Sequence, residues 1–446
     1  MNTKEPKEVH IGIDDFDSPR GMCTTYVGAV ISSWLDSRPW TSFLDYPYLV
    51  RLNPNIPLKT RGNGAVSIHI RLDLNRLDEL VDYLRYILNN YADVSHPKAD
   101  PVIVVFIGPV ENRYRKLYRR ALTEFIPYKL VSKLVNKREN VIVLKSRKGR
   151  GIVGAISSIG SFRLKKCTYE LLLYRDPNER ERARDIPFSY ILEIDRKYRP
   201  KVFASVDYEE KRPLVTPHGP DPVMVGFRSV TPLLLKEILE YLKRRVKFER
   251  AIIYKTNQGT GAHLSSYKLV SKVRPYDSVI IRGTVSKDPQ VIQGGHVALY
   301  LSDGTGDLRC MVYRPTGRLS RVARLLRRGD KVEIGGGIIP SVRHGLTLNV
   351  EFIKVLRVNP AVKLENPLCP ICSSRMVSAG KDKGFKCRKC GHGPVRVNKR
   401  IVEIPRILEP GIYMPSPIAY RHLSKPYEIL GMTGEDAELV DSWHTP

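Results

Sequence analysis

Glutamine is nearly absent from the 446 residues, occurring only at Gln258, Gln290 and Gln293. Depletion of thermolabile amides of this kind accompanies life at high temperature. No apolar run approaches the ~20 residues that a membrane-spanning helix needs, because Lys and Arg punctuate almost every segment. The polar stretch Met1 to Glu8 has no basic patch leading into an apolar block, so no secretory signal is expected and a cytoplasmic location is. There is no G-x-x-x-x-G-K-[ST] string, which excludes an ATP site of the P-loop type. Nor does an H-x-E occur with P-C-x-x-C, which argues against a zinc deaminase. Acids are scarce beside bases, 46 against 74, and the resulting charge of +28 gives a field suited to a polyanion. Phosphate contacts dominate nucleic-acid affinity, so nucleic acid leads the expected partners, with no membrane and no obligate protein partner.

The length calls for about two to four domains. Val9 to Ile13 reads as a strand ending in the acids Asp14, Asp15 and Asp17, followed by a Pro19-Arg20-Gly21 turn. From Thr24 the apolar positions Val27, Val30, Ile31 and Trp34 recur at helical spacing. Residues 66–72 alternate as a half-buried strand, 77–88 read as a helix and 102–107 as a buried strand. Segment 111–150 carries thirteen Lys or Arg against three Glu, the densest positive charge in the chain. Strands are expected at 202–206, 223–227 and 249–254, with a helix from Pro232 to Arg245; strand, helix and strand from 66–107 are expected to complete one ferredoxin-like layer with them. From Asp277 come strands near 278–286, 296–302, 307–313, 331–338 and 346–355, with a helix at Leu319 to Leu326 between the third and fourth, which is the order of an OB-fold. The fold class expected is therefore multidomain α+β: an N-terminal α/β domain at 9–200, part of which (about 60–136) packs with the next, a ferredoxin-like domain at 201–268, an OB-fold at 275–358, a zinc ribbon at 364–395 and an extension at 396–446 that wraps other domains or contacts ligand.

The most specific motif is Cys369-x2-Cys372 with Cys387-x2-Cys390, fourteen residues apart, which suits four thiolates around one structural Zn²⁺ with no position left for water. His392 is a bystander on this reading. Barrel and ribbon side by side suggest a grip on RNA, with Arg318, Arg321 and Arg324 as a basic stripe and Tyr300 and Tyr313 as stacking platforms. Solvated arginines and core tyrosines are the plain alternative. The cluster Asp14-Asp15-Phe16-Asp17-Ser18 supplies adjacent carboxylates for Mg²⁺, as phosphoryl transfer requires, while Thr24 and Thr25 stand at a helix start where backbone N–H groups stabilise phosphate. A solvated turn with Thr24 as N-cap is the rival reading. The turns Arg61-Gly62-Asn63-Gly64 and Lys148-Gly149-Arg150-Gly151 suit phosphates through backbone N–H and guanidinium groups.

The run Ile11-Gly12-Ile13-Asp14-Asp15-Phe16-Asp17-Ser18-Pro19 with Gly21-Met22-Cys23-Thr24-Thr25-Tyr26 resembles the N-terminus of the archaeal tRNA(Ile) 2-agmatinylcytidine synthetases. So do Thr60 to Ala65, Gly151-Ile152-Val153-Gly154-Ala155, Arg212-Pro213-Leu214, Gly294-Gly295-His296-Val297 and the four cysteines, so that the resemblance spans nearly the whole chain. It implies a kinase-like ATP-dependent domain followed by ferredoxin-like, OB-fold and zinc-ribbon domains. It also implies joining of agmatine to the 2-carbonyl carbon of the wobble cytidine of one isoleucine tRNA, forming agmatidine so that this tRNA(Ile) decodes AUA, with phosphorylation of the cytidine and breakdown of ATP to AMP and two phosphates. Thr24 maps onto a threonine that the family autophosphorylates. Asp14, Asp15 and Asp17 become catalytic and Mg²⁺-binding candidates, and Ser18, Thr25, Arg61, Asn63, Lys148, Arg150 and Gly151 candidates for ATP. Phe16 departs from the family pattern, where a threonine is expected. A non-catalytic OB-fold and zinc-ribbon protein binding RNA or single-stranded DNA is the alternative.

Overall fold

The computed structural model describes residues 5–18, 22–93, 95–96, 99–136, 138–176, 184 and 186–445. The expected turn at Pro19-Arg20-Gly21 lies outside the described residues. In the N-terminal half the chain forms β1 (Lys7–Asp14), α1 (Thr24–Asp36), β2 (Thr41–Phe43), β3 (Tyr48–Arg51), β4 (Gly64–Leu72), α2 (Leu77–Tyr91), β5 (Val102–Ile107), α3 (Asn112–Thr123), α4 (Tyr128–Val135), β6 (Val141–Lys145) and α5 (Ile152–Ile159). There follow β7 (Thr168–Tyr174), α6 (Phe188–Tyr198), β8 (Val202–Phe203), the side hairpin β9 (Val206–Asp207) and β10 (Arg212–Pro213), β11 (Val223–Ser229), α7 (Pro232–Lys243) and β12 (Arg250–Thr256).

These strands make one sheet in the order β6-β5-β1-β4-β3-β12-β7-β11-β8, with β2 on β4. Its right half, β12-β7-β11-β8 with α6 and α7 as crossovers, is the ferredoxin-like arrangement, complete in itself. The expectation that β4, α2 and β5 would complete that layer is thereby corrected. They belong to the left half, which joins edge to edge through the parallel pairing of β3 with β12 (Tyr48↔Lys255). The expected boundary at 200 also moves, because β7 and α6 supply the first strand and helix of the ferredoxin-like unit. Strand β7 gives no alternation to read, since every one of its residues is buried. Strand β4 departs in the same way: Ser67 and His69, expected to face water, are fully buried beneath α5, where the Ser67 hydroxyl donates to the Ser158 carbonyl (3.0 Å) and His69 Nδ1 meets His10 Nδ1 (2.8 Å).

Beyond the sheet, β13 (Ser278–Ile292), β14 (His296–Ser302), β15 (Asp307–Val312), α8 (Arg318–Leu325), β16 (Lys331–Ser341) and β17 (Gly345–Arg357) close a five-stranded barrel through the parallel pair β15–β17. This is the OB-fold, with its helix between the third and fourth strands. A ribbon of β18 (Ala361–Glu365) and β21 (Arg400–Ile404) carries the cysteine module, which holds β19 (Val377–Ser378) and β20 (Phe385–Lys386). The chain then adds β22 (Gly411–Tyr413) to β17 and returns to the large sheet, where Trp443 packs on Phe43. The extension wraps, as one of its two expected roles required.

Candidate active site

Strand β1 delivers the acids. It is buried on both faces by Val9, Ile11 and Ile13 on one side and by α5 on the other, where Gly12 leaves room for the Ala155 carbonyl. Gly154 likewise lies so close to the Asp14 carboxylate that any Cβ would collide with it, and Gly151 lies beside the Asp14 carbonyl. The glycines of the Gly151-Ile152-Val153-Gly154-Ala155 motif thus let the start of α5 press on the acid loop. Asp15 adopts φ of 68°, a left-handed backbone uncommon for a residue other than glycine and typical of strained functional loops.

Around that loop the hydroxyl of Thr60 donates to Asp15 Oδ1 (3.1 Å) and lies 3.3 Å from Asp17 Oδ2. The Asp100 N–H donates to Asp15 Oδ2 (2.9 Å). Cys23, not Thr24, is the N-cap of α1. Thr24 is the first helical residue and its hydroxyl turns to the acids, accepting from the Phe16 N–H (3.2 Å) and donating to Asp17 Oδ2 (3.5 Å). Phe16 itself is fully buried, so the side chain at the family-atypical position packs into the core and the loop uses only its backbone. Arg61 spans Asp221 (3.2 Å), Asp17 (3.8 Å) and the Ser18 carbonyl (3.1 Å).

Burial drives the carboxyls upward. Asp14 is held well above its ordinary range by loss of solvent and by the neighbouring charges of Asp15 and Asp17. Asp15 is pushed up to about 6 by burial, against the hydrogen bonds from Thr60 and Asp100. Asp17 is raised by burial against the opposing pull of Arg61 and Arg51. Buried acids that repel one another and lack full compensation fit a divalent cation. They do not converge as a cage: among the described residues the four cysteines are the one group of three or more ligands close enough for a metal. Mg²⁺ characteristically takes one or two carboxylates and completes its shell with phosphates and water, which this arrangement permits.

Two hollows meet at the acid loop. A cavity of about 840 Å³ is walled by Asp14, Asp15, Leu58, Phe125, Tyr128 and Val153, with Asn63, Arg150 and Gly151 also lining it. A cleft of about 940 Å³ opens towards the ferredoxin-like half, with Asp17, Thr24, Thr25 and Arg61 on one wall and Glu170, Asp221 and Arg228 on the other. The 148–151 turn departs from the phosphate cradle expected of it, because the N–H groups of Gly149 (2.8 Å) and Arg150 (3.1 Å) already donate to the Asp100 carboxylate. Lys148 is exposed and lines neither hollow. Sequence reading missed Arg51, Asp100, Glu170, Asp221, Arg228 and His422. A lone acid inside the apolar run Thr168 to Tyr174 was the available signal for Glu170.

The barrel residues are only partly gathered. Arg318 is engaged by Glu209 (2.8 Å) and Arg324 by the Gly295 carbonyl (2.8 Å), leaving Arg321 exposed between them. Tyr300 lies under Lys287 (4.7 Å) in a groove with Arg309 and His344, whereas Tyr313 sits apart, bonded to Asn349 (3.2 Å). In the ribbon the Cys369 and Cys390 sulfurs are 3.5 Å apart, as are those of Cys372 and Cys387, and all four lie within 4.8 Å of one another. That donor set fits tetrahedral Zn²⁺. His392 meets the module through its backbone, its carbonyl accepting from the Cys387 N–H (2.7 Å) and its N–H donating to Cys390.

A buried acid loop between two hollows, on a sheet that also carries an OB-fold and a cysteine module, defines a nucleotide-handling enzyme with nucleic-acid-binding appendages. Family models match in chain order: the TiaS TCKD domain over residues 10–76, the TiaS FLD domain over 149–263, the OB-fold nucleic acid binding domain over 279–356 and the TiaS C-terminal zinc ribbon domain over 366–408. The chain is 48% identical over 436 residues to the isoleucine-tRNA 2-agmatinylcytidine synthetase TiaS of Thermofilum pendens, covering 97% of each chain, and 38% identical to that of Staphylothermus marinus, covering 95% of this chain and 94% of the other. A solved complex of TiaS with its isoleucine tRNA and ATP superposes with TM-score 0.83 at 32% identity, covering 97% and 99% of the two chains; a complex of TiaS with that tRNA, AMPCPP and agmatine gives 0.81 at 30%, covering 96% and 99%. The chain belongs to the TiaS family of tRNA(Ile) 2-agmatinylcytidine synthetases. No helix among the described residues is long and apolar enough to cross a membrane.

Proposed function

We propose that this chain joins agmatine to the 2-carbonyl carbon of the wobble cytidine of the AUA-decoding isoleucine tRNA, using ATP and forming AMP and two phosphates. Its relatives carry that name, and relatives have been solved with the isoleucine tRNA, ATP or its analogue, and agmatine. The observation that carries the chemical reading is Thr24, a buried hydroxyl directed at Asp17 where the two hollows meet. The N-terminal half acts in a kinase-like role. The apolar walls of the first cavity suit the adenosine of ATP, with Asn63, Arg150 and Gly151 beside it. Asp14, Asp15 and Asp17 would hold Mg²⁺, which supplies charge neutralisation on the transferring phosphate. Thr25 and Arg61 face the second cleft with Thr24, and Ser18 anchors Arg61 through its carbonyl.

A cytidine 2-oxygen is a poor leaving group until phosphorylated; an amine then adds at C2 and the C2–O bond breaks with its electron pair leaving on phosphate. The cleft offers both kinds of charge this needs. Asp17, Glu170 and Asp221 suit the cationic ends of agmatine, and Arg51, Arg61 and Arg228 suit the departing phosphate. The guanidinium of Arg51, with loss of solvent and Arg228, keeps His422 well below its ordinary value and so neutral in the same cleft. The four cysteines hold structural Zn²⁺, and the barrel, through Arg321 and Tyr300 among its candidates, grips RNA. The test is incubation with the unmodified isoleucine tRNA, agmatine and ATP, followed by mass spectrometry of the wobble nucleoside. The expected result is an agmatine-sized gain on cytidine that requires ATP; its absence with an active enzyme preparation removes the proposal.

A further inference from the structure

Apart from Arg150, the excess of Lys and Arg in 111–150 lies outside the site just described. On α3 it surfaces as Lys116, Arg119 and Arg120, all exposed at helical spacing, and the face leads to a groove between the N-terminal half and the segment entering the barrel. The groove encloses about 1350 Å³. One wall is Arg120, Glu124 and Phe125; the other is Lys272, Arg274 and Tyr276. Arg120 is paired with Glu124 (3.2 Å), whereas Lys272 and Arg274 are exposed and form no ion pair among the described residues.

Two neighbouring aromatic rings line the groove. Phe125 is 39% exposed, an unusual setting for a ring with an apolar core available, and its centroid lies 6.2 Å from that of Tyr276 at 44°. Tyr276 has φ of 67°. It is held in that left-handed conformation by two hydrogen bonds, its N–H to the Ile338 carbonyl (2.8 Å) and its carbonyl from the Asn53 side chain (2.7 Å), one from each of the bodies it lies between. A strained backbone fixed from both sides presents the ring at a set place. Glu124 and Phe125 also line the nucleotide cavity, so groove and cavity are contiguous.

We propose that this groove is a track for a single-stranded stretch of the substrate tRNA, with a base stacked at Phe125 and Tyr276 and its phosphates on Lys272 and Arg274. Aromatic rings flanked by unpaired cations are what unpaired nucleic acid requires, since every base has a face to stack and every linkage a charge. A duplex would offer phosphates but no accessible base face. The inference rests on the tRNA-modifying function and adds where an unpaired segment lies.

Two measurements test it. With a benzophenone amino acid replacing Tyr276, irradiation with the substrate tRNA is expected to crosslink to an unpaired nucleotide; crosslinks confined to base-paired stems, or none, overturn the proposal. In steady-state assays K272E with R274E is expected to raise KM for tRNA about tenfold or more and to lower the salt dependence of binding by about 1–2 log units per log unit of salt, at unchanged kcat and unchanged KM for ATP and agmatine. Tyr276→Asn, which tolerates the left-handed backbone, is expected to raise the tRNA KM while leaving the unfolding midpoint near that of the parent. Unchanged tRNA KM in both variants, with a parent that modifies tRNA, refutes the track alone; a parent inactive on tRNA refutes the underlying function.

Discussion

Asp15 ties the acid loop's electrostatics to the stability of the chain. Its carboxyl is pushed up to about 6 from 3.8, so the folded chain binds more protons than the unfolded chain between those values. The contribution to stability is therefore full below pH 3.8 and is lost as pH rises through about 6, leaving a charged, under-compensated group at neutral pH. Asp15→Asn should raise stability at pH 7.5 without Mg²⁺, by at most about 3 kcal/mol, and should abolish modification. Denaturant titration with and without Mg²⁺ reads both effects; a variant less stable than the parent without Mg²⁺ contradicts the account. Thr24 makes a second residue-scale case. Thr24→Ser keeps a hydroxyl within reach of Asp17 and should retain activity, whereas Thr24→Ala should lose at least about a hundredfold in kcat with the fold intact, as expected for a group acting in the chemical step. Equal activity of Thr24→Ala and parent removes the hydroxyl from the mechanism.

At the scale of elements, the cysteine module depends on metal rather than on a core. Its buried apolar content is Met376 together with the buried faces of Cys369 and Cys387, too little to hold the loops alone. Cys387→Ser should strip stoichiometric zinc, measured by elemental analysis, and expose the module to protease while the large sheet stays intact. Retained zinc would contradict the assignment. The same scale shows what the sequence made legible. Strand β1, α1, the barrel and the knuckles were readable because each carries a period or a spacing that physics imposes locally: the i, i+3, i+4, i+7 pattern of Val27, Val30, Ile31 and Trp34, or two Cys-x-x-Cys pairs. Strand β7 and the polar side of β4 were not, because burial on both faces erases alternation and only tertiary neighbours decide it. The acid loop was singled out by its residue types. Its partners Asp100, Glu170, Asp221 and His422 were not, since they arrive from a distant strand, from two loops and from the C-terminal extension. The 148–151 turn was misread because a glycine-rich basic turn suits a phosphate or a carboxylate equally well, and here Asp100 occupies it.

Across the whole molecule the last segment of the chain links the two halves of the large sheet. Lys255 sits on β12 beside the seam with β3, with its side chain fully buried between Asp45 (2.8 Å) and Asp436. Burial works against its charge, but the two carboxylates outweigh it and hold the ammonium above its ordinary range. The Tyr46 hydroxyl donates to the Glu438 carbonyl (2.9 Å) and the Tyr169 hydroxyl to that of Glu435 (2.9 Å), so the strap is bonded to residues on both sides of the seam. Trp443 closes over Phe43 (4.9 Å), and the Ile253 N–H donates to the Trp443 carbonyl (2.8 Å). Ending the chain at residue 432 removes one carboxylate from a buried ammonium and uncovers that apolar contact. The expected loss is about 3–5 kcal/mol, read as a fall in the denaturant midpoint. Lys255→Met in the shortened chain should cost less than in the full chain, because Lys255 has there already lost Asp436, while in both backgrounds the change leaves Asp45 without its ammonium. Equal effects of Lys255→Met in both backgrounds would show that the strap acts through packing alone, and that the buried ion pair contributes nothing to joining the halves.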